Sequence, residues 1–193
     1  VIINKIAHLI GKCGYLPKQI AAVTFTNKAA AEMRERVEKL LPGEGNSVWV
    51  STFHSMCLRI LRREIEHLGY NRDFSIYDTD DQRTLMRQIL KELKIDSKTL
   101  RERAVLSQIS QTKNRGGNAE DYLSESDGDY LSKLIYQCFK RYEEKLKENN
   151  ALDFDDLLLK TVQLFEADPD VLAYYQERFR YIMVDEYQDT NTV

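Results

Sequence analysis

Tyr181-Ile182-Met183-Val184-Asp185-Glu186-Tyr187-Gln188-Asp189-Thr190-Asn191 begins with an apolar run that gives way at once to two carboxylates. Four apolar residues ending in an acid pair predict a short strand of a parallel sheet. The acids then fall at its carboxyl end, where open α/β sheets gather ligand chemistry. The chain is therefore expected to be an α/β protein whose other strands lie upstream.

Two earlier stretches repeat the arrangement. Ile20-Ala21-Ala22-Val23-Thr24-Phe25 is a short apolar run after the turn Gly11–Lys18. Thr26 and Asn27 follow as N-cap types, and Ala29 to Leu41 has high helix propensity up to Pro42-Gly43. Val48-Trp49-Val50-Ser51-Thr52 is again strand-like, and a helix from Phe53 to Leu68 is closed by Gly69. Its residues Phe53, Met56, Cys57, Ile60, Leu61, Ile65 and Leu68 keep to one face. Two strand–helix units in succession imply a parallel sheet flanked by helices. If all three strands are neighbours, their polar ends share one rim.

Between the second and third strands the pattern is helical. Starts are expected at a Thr79/Gln82 capping box, near Ser97, and around Asp129, the last running to Glu148. Lys113 to Asp129, with Gly116-Gly117, is expected to be a flexible loop. Asp153 caps a helix through Phe165, and Asp168-Pro169 opens another ending near Phe179. The expected organisation is therefore residues 1–54 as the first part of the α/β domain, 55–179 as an all-helical insertion, and 180–193 as the return to the sheet. Val1 to Ile10 starts with helical periodicity and no Met or polar lead-in, so the natural beginning is expected to lie upstream.

Composition sets outer bounds. With 42% hydrophobic and 31% charged residues, eight Gly and three Pro, the chain has the profile of a soluble, helix-rich fold. A net charge of -3 offers no broad positive field to a polyanion, so any nucleic-acid contact is local. Cys13, Cys57 and Cys138 are odd in number and lack zinc spacing, pointing to reduced thiols and a cytoplasmic protein. No apolar run approaches a membrane span, and there is no export signal. His8 and His67 lack ligand spacing, and Asp78-Thr79-Asp80-Asp81 lacks the Gly and closing Glu of a calcium loop. Lys113, Arg115 and the Arg59/Arg62/Arg63 group read as solvated helix faces.

An acid pair after a buried strand suits nucleotide hydrolysis, one carboxylate holding Mg²⁺ through water and the other orienting or deprotonating the attacking water. A solvated strand-to-loop turn has the same two residues. Thr26 and Asn27 likewise serve as helix caps or as phosphate contacts, and one does not exclude the other. Phe25 and His54 are suited to stacking on a base, although the aromatic ring of Phe53 equally fits a core.

YIMVDEYQDTN resembles motif II of UvrD/PcrA/Rep-like superfamily 1 DNA helicases. AVTFTNKAAAEMRERV is similar to motif Ia of that family, VSTFHSMCLRILR to motif Ib, and LDFDDLL to a segment that recurs before motif II. The resemblance implies a partial RecA-like domain with a large all-helical insertion. It makes Asp185 the Mg²⁺-associated acid and Glu186 the catalytic base, with Gln188 coupling the nucleotide site to the rest. Phe25, Thr26, Asn27, Lys28, Thr52, Phe53 and His54 become contacts to single-stranded DNA.

The implied parent is an ATP-dependent helicase using ATP and Mg²⁺, acting on single strands and single-strand/duplex junctions in repair or replication. Its partners would be a second RecA-like domain of the same polypeptide and accessory repair or replication proteins. No Gly-x-x-x-x-Gly-Lys-Ser/Thr loop occurs in these 193 residues. The phosphates thus lack their backbone cradle, and the chain alone is expected to be inactive. Two other readings stay open: a non-catalytic DNA- or protein-binding module, and part of a helicase-nuclease subunit.

Overall fold

The computed structural model describes residues 1–96 and 98–187, which form two compact units. One comprises residues 1–60 and 164–187, the other residues 61–96 and 98–163. The sequence reading put the joins after His54 and Phe179. The compact units join within continuous helices, α3 (Phe53–Glu64) and α8 (Phe154–Ala167).

In the α/β unit, α1 (Ile2–Gly11) precedes β1 (Ile20–Thr24), α2 (Asn27–Leu40), β2 (Trp49–Thr52) and α3; α9 (Pro169–Arg178) leads into β5 (Tyr181–Val184). The sheet order is β2-β1-β5, and both pairings are parallel. All five residues of β1 are buried, as expected of a central strand with both faces covered. One core gathers Ile6 and Leu9 of α1, Ile20 and Ala22 of β1, Met33 and Val37 of α2, and Val48 and Val50 around β2. The buried Ala30, Met33 and Val37 recur at helical spacing along α2, while Glu32, Arg36 and Lys39 keep to solvent. Arg34 on the same helix donates to the carbonyl of Val50 at 2.9 Å, tying α2 to β2.

The other unit contains β3 (Ser75–Tyr77), α4 (Thr79–Glu92), α5 (Glu102–Lys113), α6 (Ala119–Glu125), α7 (Tyr130–Glu148), β4 (Ala151–Asp153) and the start of α8. Ile135, Cys138, Phe139, Tyr142 and Leu146 form the buried stripe of α7. They pack with Leu85, Met86, Ile89 and Leu90 of α4 and with Val105 and Ile109 of α5.

Four local expectations need correction. The insertion contains a small parallel sheet, β3 with β4, that was not expected because three-residue strands carry no readable alternation. The cap of α4 is Asp78, whose carboxylate accepts from Asp80 and Asp81 while Asp81 accepts in return from the Asp78 amide; Thr79 is already helical. The loop expected over Lys113–Asp129 contains α6, capped by Asn118 and Asp121 in the same reciprocal way. The helix expected through Leu68 ends its α-helical part at Glu64 and continues as a 3₁₀ turn, Ile65–Leu68. Gly69 then terminates it at φ 71°, a left-handed value that glycine takes without steric cost. Among the described residues no helix is long and apolar enough to cross a membrane.

Candidate nucleotide and nucleic-acid rim

Parallel pairing sets the rim. Thr24 is in register with Thr52, Val23 with Val184, and the Asp185 amide donates to the Val23 carbonyl at 2.9 Å. The carboxyl ends of all three strands therefore lie along one edge of one unit. The turn Phe25–Lys28, the turn Thr52–His54 and the acids Asp185–Glu186 leave from it. These segments lie far apart in the chain, and only the β2-β1-β5 order brings them together.

The two turns share a capping device. Thr26 accepts the Ala29 amide through its hydroxyl at 3.1 Å, and Thr52 accepts the Ser55 amide in the same way at 3.2 Å. Their exposure differs. Thr26, Asn27 and Lys28 are exposed, and helix geometry leaves the Asn27 and Lys28 amides without intrahelical acceptors. Thr52 is only 6% exposed and donates its hydroxyl proton to Ser55 Oγ at 2.9 Å, so its side chain serves the fold locally. Phe25 and Phe53 are half-buried and meet each other, with ring centroids 5.3 Å apart and planes inclined by 51°. His54 is half-buried and engaged.

Asp185 is half-buried and Glu186 exposed. Neither carboxylate is held by a side chain among the described residues. Glu186 adopts φ 54°, a left-handed conformation that costs a residue with a Cβ and that recurs where a side chain must be aimed. The expectation for Gln188 lies outside the described residues.

The donor set fits part of a nucleotide site. Two carboxylates beside one another are hard oxygen ligands of the kind Mg²⁺ takes, and Mg²⁺ completes its shell with water and substrate phosphates. Among the described residues there is no group of three or more metal-ligating side chains, so such an ion would depend on the nucleotide for its remaining ligands.

Three of the basic residues set aside as solvated faces, Lys113, Arg62 and Arg59, are more committed than expected. Lys113 is 2% exposed and bonded to Asp153 and Asp156 at 2.7 and 2.8 Å, which removes it from any surface. Arg62 donates to the carbonyls of Arg72 and Phe74 and covers the Phe74 ring at 3.8 Å. Arg59 lies 5.1 Å from the Trp49 ring centroid, with Arg178 at 5.4 Å. The signal available for Lys113 was LDFDDLL, whose acids sit among apolar residues and so require a buried counter-charge. Cys138 is buried, and none of the three cysteines is in a disulfide.

Residues 1–193 match the family described as UvrD/REP helicase N-terminal domain. The chain is 47% identical over 191 residues to the ATP-dependent DNA helicase PcrA of Bacillus subtilis, covering 99% of this chain and 26% of that protein. It is 46% identical over the same length to the helicase of that name from Staphylococcus aureus, again with 99% and 26% coverage. The chain thus spans about a quarter of the length of the curated relatives it matches.

Proposed function

The chain belongs to the UvrD/REP helicase N-terminal domain family, and on that premise we propose that it is part of the motor of an ATP-dependent DNA helicase. The parent would couple nucleotide hydrolysis to movement along single-stranded DNA and to opening of the duplex, in repair or replication. The observation that carries this reading is the common rim, where Asp185 and Glu186 leave the same sheet edge as the turns at 25–28 and 52–54.

In this reading Asp185 would hold Mg²⁺ and Glu186 would accept a proton from the attacking water. The exposure of Glu186 lets it reach solvent, and its left-handed backbone fixes where the carboxylate departs from the strand. ATP, when bound, supplies the phosphoanhydride. The exposed Thr26, Asn27 and Lys28 offer a hydroxyl, an amide, an ammonium and free backbone N–H groups to DNA phosphates, contacts that accept any base sequence. Phe25 and His54 would support stacked bases, with Thr52 and Phe53 holding the turn behind them. Gln188 is assigned its coupling role on the motif alone. The partners in this reading are single-strand/duplex junctions, a second RecA-like domain and accessory repair or replication proteins.

The decisive experiment is DNA-stimulated ATP hydrolysis by the longer parent. Glu186→Gln is expected to lower turnover about 10²- to 10⁴-fold, the range of a lost general base, while oligonucleotide binding persists. Undiminished turnover would remove Glu186 from the role. The 193-residue chain alone is expected to show negligible turnover, because it has no phosphate-cradling loop. A second reading is a non-catalytic DNA-binding module. A parent that binds single strands but never hydrolyses ATP would establish it.

A further inference from the structure

β3 and β4 pair over three residues each, Ser75 with Ala151, Ile76 with Leu152 and Tyr77 with Asp153. A ladder so short is marginal by itself. β4 is buried at all three positions, so the in–out alternation that aligns a one-sided strand cannot choose its register. At its entrance Asn150, at φ 47°, accepts the Asn71 amide through its side chain at 2.9 Å and the Ser75 amide through its carbonyl at 3.0 Å. That clip is solvent-accessible. The exit is sealed.

At the exit, Lys113 at the end of α5 donates to Asp153 Oδ2 and to Asp156 Oδ1, with the three side chains only 1%, 3% and 4% exposed. Tyr142 from α7 donates its hydroxyl to Asp153 Oδ2 at 3.1 Å. Asp153 and Asp156 also accept each other's backbone amides, at 2.9 and 3.1 Å, which starts α8. Segments up to 43 positions apart thus converge on one buried ammonium.

Desolvating three charges is expensive, and apolar replacements of whole buried ion clusters are often as stable. Net stability is therefore a poor account of this cluster, whereas discrimination between alignments is a good one. Because side chains alternate along a strand, a slip of one residue would turn Asp153 to the opposite face and present Leu152 to Lys113. Lys113 and Asp156 would then be left as a poorly compensated pair, a penalty that falls only on the wrong alignment. We propose that the Lys113–Asp153–Asp156–Tyr142 cluster is a register lock, which selects the β3–β4 alignment and the starting point of α8.

The test removes the charges together. Lys113→Met/Asp153→Asn/Asp156→Asn keeps acceptors for both caps and is expected to melt above Lys113→Met alone. Its Ser75 amide should nevertheless exchange at least tenfold faster than in the native chain, with doubled resonances for residues 75–77 and 151–153. A single set of resonances with native Ser75 protection would overturn the proposal. If the triple variant does not fold, the native chain decides by amine labelling. Lys113 is expected to react only at the rate at which the Ser75 amide opens, and labelling as fast as at the exposed Lys98 would overturn the lock.

Discussion

Asp185 and Glu186 follow β5 in the α/β unit; Asp153 ends β4 in the other unit, with Asp156 one turn into the next helix. The chemistry of the two acid pairs is the same and their surroundings are opposite. The first pair is half-buried and exposed, held by no side chain among the described residues, with Glu186 in a left-handed backbone conformation. The second is sealed, bonded to an ammonium, a phenol and two backbone amides. A carboxylate whose lone pairs are all committed organises a fold, whereas one left uncommitted at a sheet edge is available to a ligand. Partners and burial separate the two uses; residue type does not.

The comparison breaks most easily at Lys113. Lys113→Met leaves two buried carboxylates facing each other and is expected to cost about 3–5 kcal/mol in urea unfolding, the usual penalty for a broken buried pair. Glu186→Gln in this chain should change stability by less than about 0.5 kcal/mol, because an exposed side chain is replaced by one of the same shape. Equal losses at the two sites would dissolve the distinction.

Acid titration sharpens it. Burial pushes the Asp153 carboxyl up, but the Lys113 charge and hydrogen bonds outweigh burial and hold it below its ordinary 3.8. Burial and the Asp153 charge raise Asp156 above the same value against the opposing Lys113 charge. A depressed carboxyl stabilises above its ordinary pKa and loses that contribution as pH falls below it. A raised one does the reverse, binding its proton more readily in the folded state. From neutrality down toward 4.5, above which the depressed Glu35 and Glu148 lose nothing, stability should therefore hold or rise as Asp156 takes up a proton. Below 3.8 it should fall as Asp153, with the similarly depressed helix caps Asp78 and Asp129, is neutralised. Unfolding free energies measured from pH 7 to pH 3 check the sequence, and a steady decline beginning at pH 7 would contradict it.

A smaller effect belongs to the rim. Thr26→Ala removes the hydroxyl that caps α2 and should cost about 1 kcal/mol. In the parent it should also weaken oligonucleotide binding by a similar factor at low and high salt, since a neutral hydroxyl releases no counterions. A small effect is also expected at Arg115. It pairs with Glu125 at 3.2 Å with both side chains about 60% exposed, so Arg115→Ala should cost less than about 1 kcal/mol.

The α/β unit was readable because its strands are short, apolar and each followed by a polar cluster. Tyr181–Val184 stands in the structure as read, and Ile20–Thr24 and Trp49–Thr52 each within one residue of the reading. The rim acids were legible for the same reason, and the motif resemblance singled them out. β3 and β4 were not legible, because three residues hold too little periodicity to distinguish strand from loop. The roles of Thr52 and Lys113 were also hidden: a hydroxyl that caps a buried turn and one that faces solvent are written with the same letter. A lysine at a helix end likewise reads as solvated until its counter-charges, 40 and 43 positions away, are placed beside it.

By itself the sequence determined the element types of the α/β unit, the long helices between its strands, and the identity of the acids that end the last strand, since these depend on local periodicity and capping chemistry. Only the tertiary structure decided that β1 lies between β2 and β5, that three turns share one edge, and that Lys113 is an internal cation. Those facts depend on contacts between distant segments. Burial converts such contacts from neutral to decisive, because a charge removed from water must find its partner and a parallel sheet must set its strand ends side by side.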